Sequence, residues 1–307
     1  MDDHSGWAQA GYAWPYVSVI VPFYGTDTEL LDRCIDALFA QEYPSHKLEL
    51  IIVDNNASPL LADRYCSLTV FTSVVHEPQP GSYRARNKGI SVARGEVYAF
   101  TDSDCVPASN WVRSAVRHLQ STPNCGLVAG HVDLTFRNPS LPGLCELYDV
   151  CTYLRQDEYV RKFHFGATAN LVAYSAVFEH AGRFDEAFFS GGDCEWGQRV
   201  WKMGYQQVFA PDAVVYHPAR STLTALSEKA RRLAGQDFIR MSGHKGRWPH
   251  LLFLELWRTA RHTRIALKRR REFGRLRIFL LIAVIGYVQM AKYAELVRLL
   301  CGGAPRR

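Results

Sequence analysis

The chain has 307 residues, of which 48% are hydrophobic and 21% are charged. This composition supports a sizeable buried core and excludes an intrinsically disordered chain. The formal net charge of +6 arises in one segment, residues 258–277, which holds nine Lys or Arg and one Glu, so the remaining chain is close to neutral. The eight cysteines form no Cys-x-x-Cys pair, which argues against a zinc ribbon, and their scattered positions indicate a reducing compartment.

The order of apolar segments predicts an α/β domain. Residues 1–16 are acidic and lack the apolar core of a secretory signal, so we expect a short tail. Apolar, β-branched runs predict strands at 17–24, 48–59, 68–78, 96–104, 125–136 and 206–217. Helical periodicity predicts helices at 28–41, 81–95, 111–120 and 193–205, the second capped by Gly95 and the last ended by Gly204. A short strand and a helix are predicted within 165–189.

Polar residues stand where three of these strands end: at Tyr24, at Asp54 to Asn56, and at Asp102 to Asp104. Alternating strands and helices favour a sheet with crossover connections. Ligands of such sheets bind beyond the carboxyl ends of the strands. We therefore expect the three strand ends to meet at one crevice.

Asp102 and Asp104 are two carboxylates separated by one residue at the end of a buried strand. Their charges repel unless a cation lies between them. Mg²⁺ and Mn²⁺ take one or two carboxylates together with substrate phosphates, so the pair predicts a divalent metal site. The alternative interpretation is a solvated turn.

Further polar residues have both a structural and a functional interpretation. Asp54 fits an Asx-turn or helix cap, and equally a hydrogen bond to a nucleoside at the crevice. Arg84 and Arg86 follow Gly81 at a helix start, where a cation is poorly placed unless an anion such as a diphosphate is near. His217 ends the last strand and is either structural or a third metal ligand.

A second acidic motif, SGGDCEWGQR, spans residues 190–199. Its two glycines let the backbone approach a ligand closely. Asp193 either caps the following helix or acts as a general base beside an acceptor hydroxyl, and Glu195 is a second acid of the same motif.

Taken in order, these motifs resemble the inverting glycosyltransferases of family 2, which have the GT-A fold, a Rossmann-like mixed sheet flanked by helices. The resemblance covers about residues 17–217 and rests on seven segments: VSVIVPFYG, LELIIVDNNAS, GSYRARNKGI, GEVYAFTDSDCVP, FGATANLVAYSAVFEHAGRFDE, GGDCEWGQRV and MGYQQVFAPDAVVYH. The chain departs from the family pattern at Gly25, where Asn is common, and at Gly192, where the family has Glu.

The resemblance implies roles for individual residues around the donor. Asp102 and Asp104 match the family's D-x-D motif, with Asp104 the more direct ligand of Mn²⁺ or Mg²⁺ and Asp102 also near the nucleotide. His217 matches a histidine that often binds the metal. The implied nucleotide-binding residues are completed by Pro22, Tyr24, Asp54 and Arg86.

The resemblance also implies the reaction. Asp193 matches the catalytic base and Glu195 a second acid of its motif, and the missing Glu leaves the choice between them open. The implied enzyme is a hexosyltransferase that moves a sugar from a nucleoside-diphosphate donor, a UDP-sugar by preference. The acceptor would be a glycan or a lipid-linked molecule, as in surface polysaccharide or glycolipid synthesis. The alternatives are a sugar-nucleotide nucleotidyltransferase and a non-catalytic module that binds glycans or nucleotides.

The C-terminal region predicts a separate function. We expect a catalytic domain at 17–220 and a basic, amphipathic helical region at 221–307. Arg261, Arg264, Lys268, Arg271 and Arg275 would form one stripe on a helix, and residues 278–291 carry no formal charge. Fourteen residues are fewer than a membrane span needs, so we expect peripheral contact with an anionic membrane at its cytoplasmic face. Homo-oligomerisation is the alternative, and no nucleic-acid-binding module is recognised.

Overall fold

The computed structural model describes residues 14–65, 72–242 and 248–304. Within these ranges, eight strands form one mixed sheet. They are β1 (Val17–Phe23), β2 (Leu48–Asp54), β3 (Thr72–His76), β4 (Val97–Thr101), β5 (Val106–Pro107), β6 (Cys125–Thr135), β7 (Asn170–Tyr174) and β8 (Gln206–Pro218). Their order across the sheet is β3-β2-β1-β4-β7-β6-β8-β5.

Helices follow most of the strands. They are α1 (Glu29–Phe39), α2 (Ala62–Tyr65), α3 (Ser82–Val92), α4 (Trp111–Ser121), α5 (Leu144–Thr152), α6 (Gln156–Glu158), α7 (Ser175–Ala181), α8 (Gly192–Lys202), α9 (Leu223–Ser242), α10 (Trp248–Lys268), α11 (Arg270–Phe273) and α12 (Arg275–Leu300). A 3₁₀ turn at Ser45–Lys47 and a π-helical turn at Tyr159–Phe163 complete the list.

The chain divides into two compact units. The first takes its described residues from Met1–Asp133, Arg155–Ala187 and Gly192–His217. The second takes them from Leu134–Leu154, Phe188–Gly191 and Pro218–Arg307. The second unit therefore starts its longest segment close to the predicted boundary at 220, and it also gathers two shorter segments from earlier in the chain.

The middle of the sheet is parallel. β1 pairs with β2, with Phe23 opposite Asp54, and with β4 on its other side, with Ile20 opposite Phe100. The three strands are buried almost throughout, as expected for parallel strands covered on both faces. Their carboxyl ends lie at one edge, which confirms that the predicted polar strand ends share an edge. β7 runs antiparallel to β4 and makes the sheet mixed.

One local prediction is corrected by the structure. Gly95 is not the C-cap of α3, because the helix ends at Val92 and Ala93 caps it. Close packing instead requires glycine at position 95, because a Cβ there would lie 2.6 Å from the Ser18 backbone nitrogen. The strand predicted at 68–78 is present over Thr72–His76, and residues 68–71 lie outside the described part of the chain. Gly204 does end α8, with a positive φ of 87°.

The second unit is helical around α12. This helix packs against α5, α9 and α10 and contributes Leu281, Ile285 and Val288 to a buried apolar cluster. A buried charge network also joins these helices. Lys292 Nζ donates to Asp237 Oδ2 at 2.9 Å and to Glu255 Oε1 at 2.8 Å.

The predicted single basic stripe is wrong in its geometry. Arg269 separates α10 from α11, and Gly274, with a φ of 82°, separates α11 from α12. The predicted basic residues are therefore distributed over three helices. The apolar run belongs to a helix longer than expected: α12 has 26 residues, enough by length and composition to cross a membrane, and 28% of its most apolar window is buried.

Candidate active site

The D-x-D motif lies directly after β4 at the carboxyl edge of the sheet, in the first unit. Ligand atoms of Asp102, Asp104, Cys105 and His217 all lie within 4.8 Å of one another. His217 Nε2 is 3.8 Å from Asp104 Oδ1. The carboxylates are about one-third exposed while the imidazole is buried, so the cluster opens to solvent on its carboxylate side.

A short strand brings residues 104 and 217 together although they are far apart in sequence. β5 pairs antiparallel with β8, and Val106 stands opposite Tyr216. This register places His217 across from the residues that precede β5. A two-residue strand is too short for any periodicity to show in the sequence, so neither the pairing nor the approach of Cys105 was predicted.

The donor set fits a hard divalent cation. Two carboxylates and one imidazole suit Mn²⁺ or Mg²⁺, which then take further oxygen ligands from phosphates. Cys105 is fully buried beside them. Burial raises the pKa of its thiol well above the ordinary value, and the charges of Asp104 and Asp102 raise it further. A soft, protonated sulfur is a poor ligand for such an ion, which leaves the aspartates and His217 as its natural ligands.

Arg86, on the first turns of α3, lies against the same motif. Its side chain is 4% exposed, and Nη2 donates to Asp102 Oδ1 at 2.5 Å. Its Nη1 donates to the Ser82 carbonyl at 3.2 Å. Its Nε is buried and has no hydrogen-bond partner among the described residues. Arg84, for which the sequence suggested the same role, instead pairs with Glu186 at the surface, 2.9 Å away.

The Asp54 side chain holds the loop after β2 in place through hydrogen bonds. Its Oδ1 accepts from the Asn56 backbone and side chain, and its Oδ2 accepts from the backbone N–H groups of Leu60 and Leu61. Burial raises the pKa of Asp54, but these hydrogen bonds outweigh it and hold the pKa below its usual value. The Asx-turn predicted as one alternative is thus present, and a nucleoside contact by this 1% exposed residue stays a prediction.

The other predicted nucleotide contacts lie on β1 and just after it. Pro22 is half-buried within the strand, and Tyr24 is 76% exposed at its carboxyl end. Asn56 connects the two loops, because its side chain accepts from the Gly25 N–H at 3.0 Å and donates to the Gly25 carbonyl at 3.1 Å. Gly25 has a φ of 114°, a conformation that the Asn common in the family would adopt less easily.

Asp193 stands at the start of α8, also in the first unit. Its Oδ1 accepts from the Cys194 N–H at 2.8 Å, and its Oδ2 accepts from the Thr168 N–H at 3.3 Å. Tyr83, on α3, lies beside the same carboxylate. Burial raises the pKa of Tyr83 well above its usual value, and the charge of Asp193 raises it further. The phenol therefore stays protonated, and its hydroxyl is available as a donor beside Asp193.

Tyr83 also lies at the candidate site, and its role was not predicted although it belongs to the GSYRARNKGI segment. Its ring is 4% exposed, and the Arg86 guanidinium carbon lies 5.6 Å from its centroid. Gly192 makes room for it, since a Cβ at 192 would lie 2.8 Å from the ring. The Glu of the family pattern would therefore collide with Tyr83 in this chain.

Glu195 is engaged elsewhere. Both of its carboxylate oxygens accept from Arg199, one turn further along α8, at 3.0 and 2.8 Å. Arg199 in turn donates to the carbonyls of Ala181 and Arg183. This bidentate pair fixes Glu195 as part of the support of α8. Among the described residues, by contrast, the hydrogen bonds to the Asp193 carboxylate come from neutral backbone N–H groups.

Comparison with known proteins gives a consistent set of relatives. The family model described as glycosyl transferase family 2 matches residues 18–180. Glycosyltransferase AglE of Haloferax volcanii is 34% identical over 229 residues, which are 72% of this chain and 73% of that protein. An N-acetylglucosaminyltransferase of Rhizobium sp. is 26% identical over 66% of the chain, and the chain spans only 48% of its length.

Two solved structures share the fold. One is the mannosyltransferase PcManGT of Pyrobaculum calidifontis in complex with GDP-Man and Mn²⁺, with a TM-score of 0.61, 21% identity and coverage of 92% of this chain and 87% of that one. The other is GalNAc-T7 with UDP, GalNAc and Mn²⁺, with a TM-score of 0.52, 18% identity and coverage of 67% and 43%. The predicted GT-A fold is thereby confirmed.

Proposed function

The chain belongs to the glycosyltransferases of family 2, and we propose that it transfers a sugar from a nucleoside-diphosphate donor to an acceptor hydroxyl with inversion at the anomeric carbon. The observation that carries the proposal is the division of acidic groups within one unit. Asp102 and Asp104 cluster with His217 and Arg86 at the strand ends, while Asp193 is held separately at the start of α8. The first group is suited to bind a diphosphate through a metal ion, and Asp193 is suited to accept a proton.

The first group would hold the leaving group. Asp102, Asp104 and His217 would bind Mn²⁺ or Mg²⁺, which when present supplies positive charge to the diphosphate oxygens as the sugar departs. Arg86 adds a permanent cation at the same place, and its unsatisfied Nε is a donor still available when side chains adjust to a ligand. Tyr24 is exposed enough to cover a nucleoside at the end of β1.

Asp193 would take the proton. In the proposed step the acceptor oxygen forms its bond to the anomeric carbon while the bond to the diphosphate oxygen breaks, and the hydroxyl proton moves to the Asp193 carboxylate. A positioned general base contributes about 10²- to 10⁴-fold to the rate. Glu195 is the weaker candidate, because deprotonating a hydroxyl would require it to leave a bidentate Arg199 pair.

The donor is proposed as a UDP-sugar and the acceptor as a glycan or lipid-linked hydroxyl. The structures similar in fold include one complex with GDP-Man and one with UDP, so both nucleotide classes enter the test. Thermal stabilisation by a panel of UDP- and GDP-sugars, with Mn²⁺ or Mg²⁺, ranks the donors, since a bound donor stabilises the folded state by mass action.

Two matched variants test the assignment of the base. Asp193→Asn should lower kcat by about 10²- to 10⁴-fold and keep the donor-induced thermal shift. Glu195→Gln should keep most of its turnover after correction for any loss of stability. Near-normal turnover in Asp193→Asn, together with loss of turnover in Glu195→Gln, would move the base to Glu195. Release of pyrophosphate instead of a nucleoside diphosphate would refute sugar transfer altogether.

A further inference from the structure

One side of α12, in the second unit, is exposed and entirely apolar. Within the described helix, the exposed positions from 276 onward recur at spacings of three and four, so they share one side. All of them are apolar: Leu276, Phe279, Leu280, Ala283, Tyr287, Met290, Ala294, Val297 and Leu300. Leu276, Phe279 and Met290 are 72%, 70% and 64% exposed. The face runs along the helix for about 36 Å at 1.5 Å per residue.

The neighbouring helix α10 shows a shorter face of the same kind. Phe253, Leu256 and Trp257 are each more than half exposed, and Leu267 is 44% exposed. α10 packs against α12 within this unit. Large apolar side chains are thus exposed on both helices. Extended apolar surfaces of this size mark sites that contact protein or membrane.

Exposed cations accompany these apolar faces. They lie at the end of α10, on α11 and at the start of α12: Arg264, Lys268, Arg270, Arg271 and Arg275. The only acidic residue among positions 258–277 is Glu272, and Arg269 binds it through two hydrogen bonds. The exposed surface here is therefore strongly positive.

We propose that the apolar face of α12, with these cations beside it, docks on an anionic lipid surface and lies in the interface of the membrane. Apolar side chains of such a helix enter the boundary between headgroups and acyl chains, while Lys and Arg bind anionic headgroups. A second copy of the chain is the less favourable occupant, because the same cations on both partners would repel each other.

The opposite side of α12 explains why the helix lies on the membrane and does not cross it. That side is covered by α5, α9 and α10. It carries Lys292 and Glu295, both buried in protein, and Lys292 is bound to Asp237 and Glu255. Crossing the bilayer would expose these ionic groups to hydrocarbon or carry charged helices with them, at high cost.

Flotation of the 307-residue chain with vesicles tests the docking. Vesicles that contain phosphatidylglycerol should bind the chain, and pure phosphatidylcholine vesicles should bind it much less. The double variant Phe279→Glu/Met290→Glu should lose at least about tenfold in partitioning, because two buried apolar contacts become charges. Phe39→Glu, at a 47% exposed position on α1 of the first unit, is the matched control and should bind normally.

The charge contribution has its own pair of variants. Arg271→Gln/Arg275→Gln should weaken binding by about 25-fold, at about fivefold for each cation near an anionic surface. Arg33→Gln, at an exposed position on α1, should have no effect. Thermal unfolding of every variant verifies that it is folded.

Four outcomes would overturn the proposal. The first is equal binding to both vesicle types, and the second is vesicle binding that neither the α12 variant nor the cation variant weakens. The third is resistance to alkaline carbonate extraction, which indicates a helix that crosses the membrane. The fourth is a chain that does not float with vesicles but forms a dimer without lipid, which Phe279→Glu/Met290→Glu dissociates. Vesicle binding needs no turnover, so these results are independent of the proposed transferase reaction.

Discussion

Tyr83→Phe removes one hydroxyl from the proposed base's surroundings and leaves the ring in place. The ring keeps its contacts with the Gly192 backbone and with Phe184, whose centroid is 5.5 Å away. Within the described part of the chain, Asp193 is then left with two backbone donors, of which the Thr168 N–H is distant at 3.3 Å. A hydrogen bond to a charged acceptor is worth about 1.5–3 kcal/mol. If that energy holds the carboxylate in its reactive orientation, kcat should fall by about 10- to 150-fold.

Steady-state kinetics with donor and acceptor varied separately provides the measurement. A positioning role predicts a lower kcat with an unchanged KM for the donor, whose proposed contacts lie on other side chains. Tyr65→Phe is the matched control, because Tyr65 is also buried and its hydroxyl donates to an aspartate outside the site, Asp32, at 2.6 Å. Equal losses of kcat in both variants, or an unchanged kcat in Tyr83→Phe, would refute the reasoning.

Further outcomes are expected elsewhere in the chain. Arg86→Ala should raise the donor KM by about tenfold or more, since it removes a charge-assisted bond, whereas Arg84→Ala should leave KM nearly unchanged in the same assay. Lys292→Met should lower the free energy of unfolding in urea by about 3–5 kcal/mol, because it leaves buried carboxylates under-compensated. Burial raises the pKa of Asp237, but Lys292 and Arg258 outweigh burial and lower it to about 2 from 3.8. The Asp237 carboxylate therefore contributes about 2 kcal/mol to the free energy of unfolding above pH 3.8, and this contribution should disappear as the pH falls toward 2. Urea unfolding midpoints measured across this pH range should fall more in the parent chain than in Lys292→Met.

The fold was predictable where a single strand or helix carries its own periodic signal. β1, β2 and β4 are continuous buried runs, and the structure observes each within the predicted range. Tertiary packing decides what periodicity cannot. Gly95 looked like a helix terminator in sequence, but its role depends on the distance to Ser18, which is set by a neighbouring strand.

The sequence could predict which residues form most of the candidate site, but not which of them contact one another. Asp102, Asp104 and His217 carry visible sequence signals, yet their meeting depends on a two-residue pairing between β5 and β8. Tyr83 carried no signal, because a buried tyrosine in an amphipathic helix is ordinarily part of a core. Only the position of α8, with Gly192 against its ring, gives that tyrosine a carboxylate partner.

These connections make α3 the element on which both halves of the proposed chemistry depend. Arg86 on its buried side binds Asp102, and Tyr83, three residues earlier, lies beside Asp193. The helix in turn is fixed on the sheet at Gly89, where a Cβ would lie 2.5 Å from Ile20 Cγ2. A side chain at 89 would lift α3 from β1 and displace the arginine and the tyrosine together. Packing of the backbone at Gly89 therefore sets the distance between the proposed leaving-group site and the proposed base, although Gly89 contacts neither. A glycine has no reactive side chain, so the sequence alone could not reveal this role.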